Sequence, residues 1–226
     1  MIRAVIFDFD GLILDTESPD LQSWHEIYGE YGHPFPEEVW LPVVGGTSTD
    51  FDFDPYEHLE SLVGHPIDRE AIRTERRRRN RELVENEPIL PGVETYIADA
   101  QRLGLRLGVA SSSTREWVLT HLERIGLSRF FEAVKCRDDV GRSKPDPSSY
   151  LAVLDEFGVE PAEAIALEDS TNGVGAAKAA GIYCLAVPNV VTRQFDFDKA
   201  DRVVESLEDL SLEELIALAE QRRQTL

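Results

Sequence analysis

Four short segments carry the residue types that chemistry on an anionic substrate would need. In Asp8-Phe9-Asp10, side chains two apart on an extended segment point the same way, so both carboxylates can face one substrate. One would serve as nucleophile or metal ligand and the other as general acid/base. Ser111-Ser112-Ser113 follows an apolar run and opens a helical pattern. Hydroxyls and free helix N-terminal N–H groups there form an anion site. Lys144 stands in Ser143-Lys144-Pro145-Asp146-Pro147, where two prolines stiffen the loop and fix the direction of the ammonium. Such a charge neutralises a transferring phosphoryl group. Glu168-Asp169 ends a fully apolar run, and hard oxygen donors at a strand end suit Mg²⁺. Each segment alone has an ordinary reading: turn aspartates, a plain N-cap, a solvated lysine, an acidic pair favoured by the helix dipole.

The elements that must position these residues alternate. Apolar runs at Ala4–Phe7, Leu105–Ala110, Ala164–Leu167 and Ile182–Val187 read as strands. Helical patterns lie between them over Val93–Leu103, Arg115–Ile125, Ser148–Phe157 and Gly173–Ala180, with Gly104, Gly126, Gly158 and Gly181 as C-terminal stops. This alternation implies an α/β fold, a parallel sheet with helices on both faces. Its ligands sit beyond the carboxyl ends of the strands, where Asp8/Asp10, Ser111/Ser112 and Glu168/Asp169 fall together. Residues 15–88 break the alternation. They contain helical stretches (Leu21–Tyr31, Tyr56–Val63, Arg69–Glu85) with Gly/Pro joints and one β-branched pair, Val43-Val44. They read as a helical insert, leaving 1–14 and 89–226 as the α/β core. The segments Asp50–Pro55 and Phe195–Asp198 read as acidic loops.

Of 226 residues, 42% are hydrophobic and 29% charged, enough for a core and too apolar for disorder. The net charge of −20 repels nucleic acid and anionic membrane, so neither is expected as a partner. Cys136 and Cys184 build no disulfide framework and read as reduced, core-associated thiols. The chain has no signal-peptide pattern and no apolar run long enough to span a bilayer. The expectation is a cytoplasmic monomer.

The motif set resembles the haloacid dehalogenase superfamily, and within it the β-phosphoglucomutase-like phosphatases with a helical cap. Asp8-Phe9-Asp10-Gly11-Leu12-Ile13-Leu14-Asp15-Thr16-Glu17 is similar to the family's first motif, and Val109-Ala110-Ser111-Ser112 to the second. Ser143-Lys144-Pro145-Asp146-Pro147 is similar to the third, and Leu167-Glu168-Asp169-Ser170 with Asn172-Gly173 to the fourth. The resemblance implies a Rossmann-like core with the insert as cap. It implies that Asp8 attacks phosphorus and that Asp10 is the acid/base. Mg²⁺ would be held by Asp8, the Asp10 carbonyl and Asp169, with Glu168 direct or through water. Ser111, the Ser112 N–H and Lys144 would hold phosphoryl oxygens, and Thr16 matches the catalytic loop. The implied substrate is a small phosphorylated metabolite.

Within the superfamily, Asp10 argues against a dehalogenase, and the absence of lysine from 15–88 argues against a Schiff-base hydrolase. A hexose-phosphate mutase stays open as the alternative. Asp20 in place of a histidine and the missing cap lysine favour a phosphatase. In the cap, the run Arg76-Arg77-Arg78-Arg79 with Arg73 and Arg81 reads as an ion-paired helix face. The sharper alternative is that one arginine grips a second anionic group of the substrate. Trp24 and His25 read as packed cap interior, with lining of the substrate cavity as the alternative, and Gly45-Gly46 as a hinge or a substrate-loop turn.

Overall fold

The structure is a computed structural model that describes residues 1–41 and 53–225. Val43-Val44, Gly45-Gly46 and the Asp50–Asp52 part of the first acidic loop lie outside the described residues. Six parallel strands form one sheet in the order β3-β2-β1-β4-β5-β6. The strands are β1 (Ala4–Phe7), β2 (Arg106–Ala110), β3 (Ala133–Lys135), β4 (Ala164–Glu168), β5 (Tyr183–Ala186) and β6 (Arg202–Val203). β1 is central, with Phe7 opposite Val109 on one side and Leu167 on the other. All four of its residues are buried, as expected of a strand covered on both faces.

The two-residue period of the strands divides the core. Val5 and Phe7 join one apolar cluster, which takes in α5 (Val93–Arg102), α6 (Arg115–Arg124) and α10 (Leu212–Thr225) through Tyr96, Leu122 and Leu215. Ala4 and Ile6 join the other, which takes in α8 (Ser148–Phe157) and α9 (Thr171–Ala179) through Val153 and Val174. The expected α/β layering is therefore present. Gly104, Gly126, Gly158 and Gly181 follow helices at φ of 71°, 74°, 59° and 80°.

Two strands and the last helix go beyond the sequence reading. β3 and β6 have three and two residues, too short for periodicity to register. In α10, Leu212, Leu215 and Ala219 face the core among charged neighbours. Cys136 and Cys184 are free and buried, as expected.

The inserted helices α1 (Glu17–Glu30), α2 (Glu37–Trp40), α3 (Pro55–Val63) and α4 (Arg69–Val84) gather around their own apolar cluster of Trp24, Ile27, Tyr28, Phe35, Trp40, Leu59 and Ile72. Trp24 lies parallel to Phe35 with ring centroids 5.6 Å apart. α1 begins at Glu17 rather than Leu21. Asp15 Oδ1 accepts from the Glu17 and Ser18 N–H groups at 3.1 and 2.9 Å, supplying the cap that hydrophobic spacing could not reveal. Asp54, read as loop, caps α3 by accepting from the Tyr56 N–H at 2.8 Å. Among the described residues, no helix is long and apolar enough to cross a membrane.

Candidate active site

The carboxyl ends of β1, β2 and β4 open into a cavity of about 360 Å³ lined by Asp8, Asp10, Ser112, Lys144 and Asp169 from the sheet side. Glu17, Asp20 and Asn80 line it from the inserted helices. β1 ends at Phe7, but its hydrogen bonding runs one residue further, with the Asp8 N–H donating to Leu167 O at 2.9 Å. Asp8 is thereby fixed beside the end of β4. The chain then turns tightly, with the Ile13 N–H donating to Phe9 O. Phe9, Leu12, Ile13 and Leu14 anchor this turn in the core. Gly11 allows it, at φ 80°, where a Cβ would fall 2.2 Å from Asp169 Oδ2.

The floor is a buried charge cluster. Lys144 Nζ donates to Asp8 Oδ1 and, at 2.6 Å, to Glu168 Oε1. Tyr150 OH also donates to Glu168 Oε1, at 2.5 Å. Asp8, Lys144, Glu168 and Asp169 are 6%, 4%, 0% and 2% exposed. Carboxylate oxygens of Asp8, Glu168 and Asp169 lie within 4.8 Å of one another. Burial opposes the Lys144 charge, but Asp8 and Glu168 outweigh it and hold the ammonium above its ordinary range. Burial pushes Asp8 up to about 8, against the pull of Lys144 and with the repulsion of Glu168 and Asp10 behind it. Burial, then Asp8 and Glu17, push Asp169 well above the carboxylate range.

One ammonium thus faces three buried carboxylates, an excess of two negative charges. A low-dielectric site does not tolerate that excess unrelieved. Protonation relieves it in the metal-free chain, and a divalent cation relieves it with the carboxylates ionised. Three hard oxygen donors and a deficit of two charges fit Mg²⁺. Glu168 Oε2 is buried without a hydrogen-bond partner. It lies against Gly173, where a Cβ would sit 1.8 Å away, so a glycine in α9 lets this carboxylate occupy its place.

Asp10 sits apart from that cluster and is held by four donors. Thr16 Oγ1 and Trp117 Nε1 reach its Oδ1 at 3.0 and 2.8 Å. Ser113 Oγ and Ser111 Oγ reach its Oδ2 at 2.6 and 3.3 Å. Together the four fix the orientation of the Asp10 side chain. Trp117 is itself braced by the His121 ring, 4.2 Å away edge to face.

Every site residue expected from the sequence comes to this strand edge, and the serines differ in detail. Ser111 is 1% exposed and faces Asp10 rather than lining the cavity. Ser112 Oγ accepts from the Lys144 N–H at 3.1 Å, fixing the lysine loop. Thr16 precedes α1 without capping it, because its hydroxyl is spent on Asp10. Trp117, Tyr150 and Asn189 escaped the sequence reading, and Ser113 entered it only as part of the serine run. Asn189 Nδ2 donates to Asp169 Oδ2 at 2.8 Å. The serine run signalled Ser113, whereas Trp117 has the spacing of an ordinary core residue in α6.

The cap arginines mostly take the ion-paired reading. Arg73 meets Glu70, Arg78 meets Glu75 and Glu82, and Arg79 meets Glu26, Glu30 and Glu75. Arg76 is held by Asp20, which itself lines the cavity. Trp24 is packed as expected. His25 is a correction: its side chain is 40% exposed and pairs with Glu37 at 2.7 Å, because the stripe it occupies on α1 looks outward.

Comparison with known proteins agrees with this geometry. Residues 5–187 match the haloacid dehalogenase-like hydrolase family. YhcW of Bacillus subtilis, provisionally named a phosphatase, is 45% identical over 94% of this chain and 95% of its own length. Hexitol phosphatase B of Escherichia coli is 31% identical over 95% of this chain and 97% of its own. The crystal structure of a CbbY variant from Rhodobacter sphaeroides with xylulose-(1,5)bisphosphate superposes at a TM-score of 0.73, with 29% identity, covering 95% of this chain and 99% of that one. The chain belongs to the haloacid dehalogenase-like hydrolases, among their phosphatases.

Proposed function

We propose that the chain is a Mg²⁺-dependent phosphatase that hydrolyses a phosphorylated sugar or polyol through an aspartyl-phosphate on Asp8. The observation that carries this reading is the buried floor, where the Asp8 carboxylate, the Lys144 ammonium and the Glu168 and Asp169 carboxylates converge. Phosphoryl transfer needs positioning and charge neutralisation more than elaborate covalent chemistry, and this floor offers both.

In this reading the Asp8 carboxylate attacks phosphorus. Lys144 draws the phosphoryl oxygens towards its charge, and the Ser112 N–H donates to them. Asp10 gives a proton to the departing alkoxide and later takes one from the water that cleaves the acyl phosphate. Its four donors orient it and stabilise the carboxylate that each proton gift leaves behind. Asp8, Asp169, Glu168 and the Asp10 carbonyl would hold Mg²⁺, whose chemistry is to neutralise charge on the phosphoryl oxygens. Residues 15–88 act as a cap that closes the cavity against bulk water. The relatives suggest two substrate classes, hexitol phosphates and a ketose bisphosphate.

The test is phosphate release from p-nitrophenyl phosphate and a panel of sugar phosphates, with Mg²⁺ and with EDTA. Activity dependent on Mg²⁺ and abolished in Asp8→Asn is expected, with acid-stable label from ³²P-substrate retained only by enzyme with Asp8. Full turnover in EDTA or in Asp8→Asn would refute the reading. Interconversion of hexose phosphates without phosphate release would show a mutase instead.

A further inference from the structure

We infer that the cap wall of the cavity selects substrates whose non-reacting end is an uncharged, hydroxyl-bearing chain and turns away those ending in a second phosphate, with Asp20 and Asn80 as the specificity-determining pair. This rests on the phosphatase reading.

The wall is assembled from α1 and α4, sixty residues apart. Asp20 Oδ1 accepts from Asn80 Nδ2 at 3.0 Å and from Arg76 Nη1. Asp20 and Asn80 line the cavity, and Arg76 does not. The Arg76 guanidinium is tethered behind them. It donates to Ser23 Oγ at 3.3 Å and lies 4.5 Å from the Trp24 ring centroid. Its charge is met by the Asp20 carboxylate, so it is not on offer to a ligand. Asn80 Oδ1 is buried without a hydrogen-bond partner. What the wall presents is therefore a carboxylate held in place by the Asn80 amide, with no free cation beside it. Hydroxyl groups donate to such a carboxylate.

A phosphate dianion has only acceptors, and here it would face Asp20, whose partner Arg76 is already paired, with no further cation to meet it. Among the described residues, Lys144 is the one cation lining the cavity, and it is committed to Asp8 and Glu168. Residues 42–52, outside the described residues, contain no Lys, Arg or His. Arg77 and Arg81 are exposed and do not line the cavity. Like-charge juxtaposition of this kind costs several kcal/mol of binding. A site built to hydrogen-bond hydroxyls also rejects ligands that lack them.

The experiment measures kcat/KM with Mg²⁺ for sorbitol 6-phosphate, glucose 6-phosphate, fructose 1,6-bisphosphate and p-nitrophenyl phosphate. The wild-type enzyme is expected to prefer the monophosphates over the bisphosphate by about 100-fold. Asp20→Asn leaves Arg76 unpaired, so it should shift the monophosphate-to-bisphosphate ratio by at least about tenfold towards the bisphosphate. Asn80→Leu removes the amide donor that orients the Asp20 carboxylate and should lower the ratio of sorbitol 6-phosphate to p-nitrophenyl phosphate by about tenfold. Near-ultraviolet circular dichroism from Trp24 reports whether the cap of each variant has kept its packing, and the wild-type panel does not depend on either variant. Equal or better turnover of the bisphosphate by the wild-type enzyme, alongside turnover of p-nitrophenyl phosphate, would overturn this inference alone. No phosphate release from any compound would overturn the phosphatase reading and this inference with it.

Discussion

Removing the Lys144 ammonium is the sharpest test of the charge balance at the floor of the site. Lys144→Met keeps much of the aliphatic stem and deletes the charge that contacts Asp8 and Glu168. Three carboxylates that are at most 6% exposed then have no internal cation. Breaking a buried ion pair by deleting one partner costs about 3–5 kcal/mol. Part of this is recovered because Asp8, already raised to about 8 against the pull of Lys144, holds its proton more firmly once that pull is gone. A net loss of about 3 kcal/mol corresponds to a fall in Tm of about 6–12 °C for a chain of this size. Mg²⁺ should return part of that loss, since two positive charges bring the floor close to balance. The assay is thermal unfolding of wild-type and variant protein at pH 7.5, in EDTA and across a Mg²⁺ titration, with turnover followed in parallel. Turnover should fall by about 10²–10³, the usual effect of losing one preorganised stabiliser of transition-state charge. If the variant melts within 2 °C of wild type in EDTA, or gains nothing from Mg²⁺, the charge-excess argument is wrong.

The same floor sets a pH dependence. Asp8 has its pKa raised from the ordinary 3.8 to about 8, chiefly by burial. The folded metal-free chain then holds a proton that the unfolded chain has released. Its stability is fully present below about pH 4 on this account, and it is lost as pH rises towards 8. Melting in EDTA should therefore fall between pH 5.5 and 8, and saturating Mg²⁺ should flatten that slope. A metal-free melting temperature that rises over this range would contradict the assignment. At Asp10, Trp117→Phe removes the 2.8 Å indole donor and keeps the aromatic packing on His121. A charge-assisted hydrogen bond of about 1.5–3 kcal/mol translates into a loss of about 10- to 150-fold in kcat, with a displaced pH optimum under the acid/base role proposed for Asp10. A variant with unchanged kcat and pH profile would remove Trp117 from the positioning of Asp10.

The chemistry-bearing residues were legible in the primary structure because they sit at the ends of strands. β1, β2 and β4 are buried on both faces, so they appear as uninterrupted apolar runs, and the first polar residue after each run marks the strand edge. Asp8, Ser111, Glu168 and Asp169 could be found that way, and Lys144 stood out as a lone lysine just ahead of two prolines. The α/β class followed from the same runs alternating with helical spacing. Short elements were hidden: β3 and β6 depend on hydrogen bonds to β2 and β5, and two or three residues carry no period. The start of α1 was displaced because Asp15, a polar residue, supplies the cap.

Only the folded chain decided how the polar groups pair. Thr16 meets Asp10 from the start of α1, Ser113 and Trp117 meet it from the segment that follows β2, and Tyr150 reaches Glu168 from within α8. Trp117 has the sequence spacing of a core residue, and nothing local distinguishes an indole that packs from one that also donates to a carboxylate. The cap arginines show the same division. Their glutamate partners three and four residues away are visible on a helix, since those positions share a face. Arg76 finds Asp20 across fifty-six residues, through the packing of α4 on α1. Covalent order governs the apolar periodicities that build strands and helices, but electrostatic partnership depends on distances through space, and those exist only once the helices have packed.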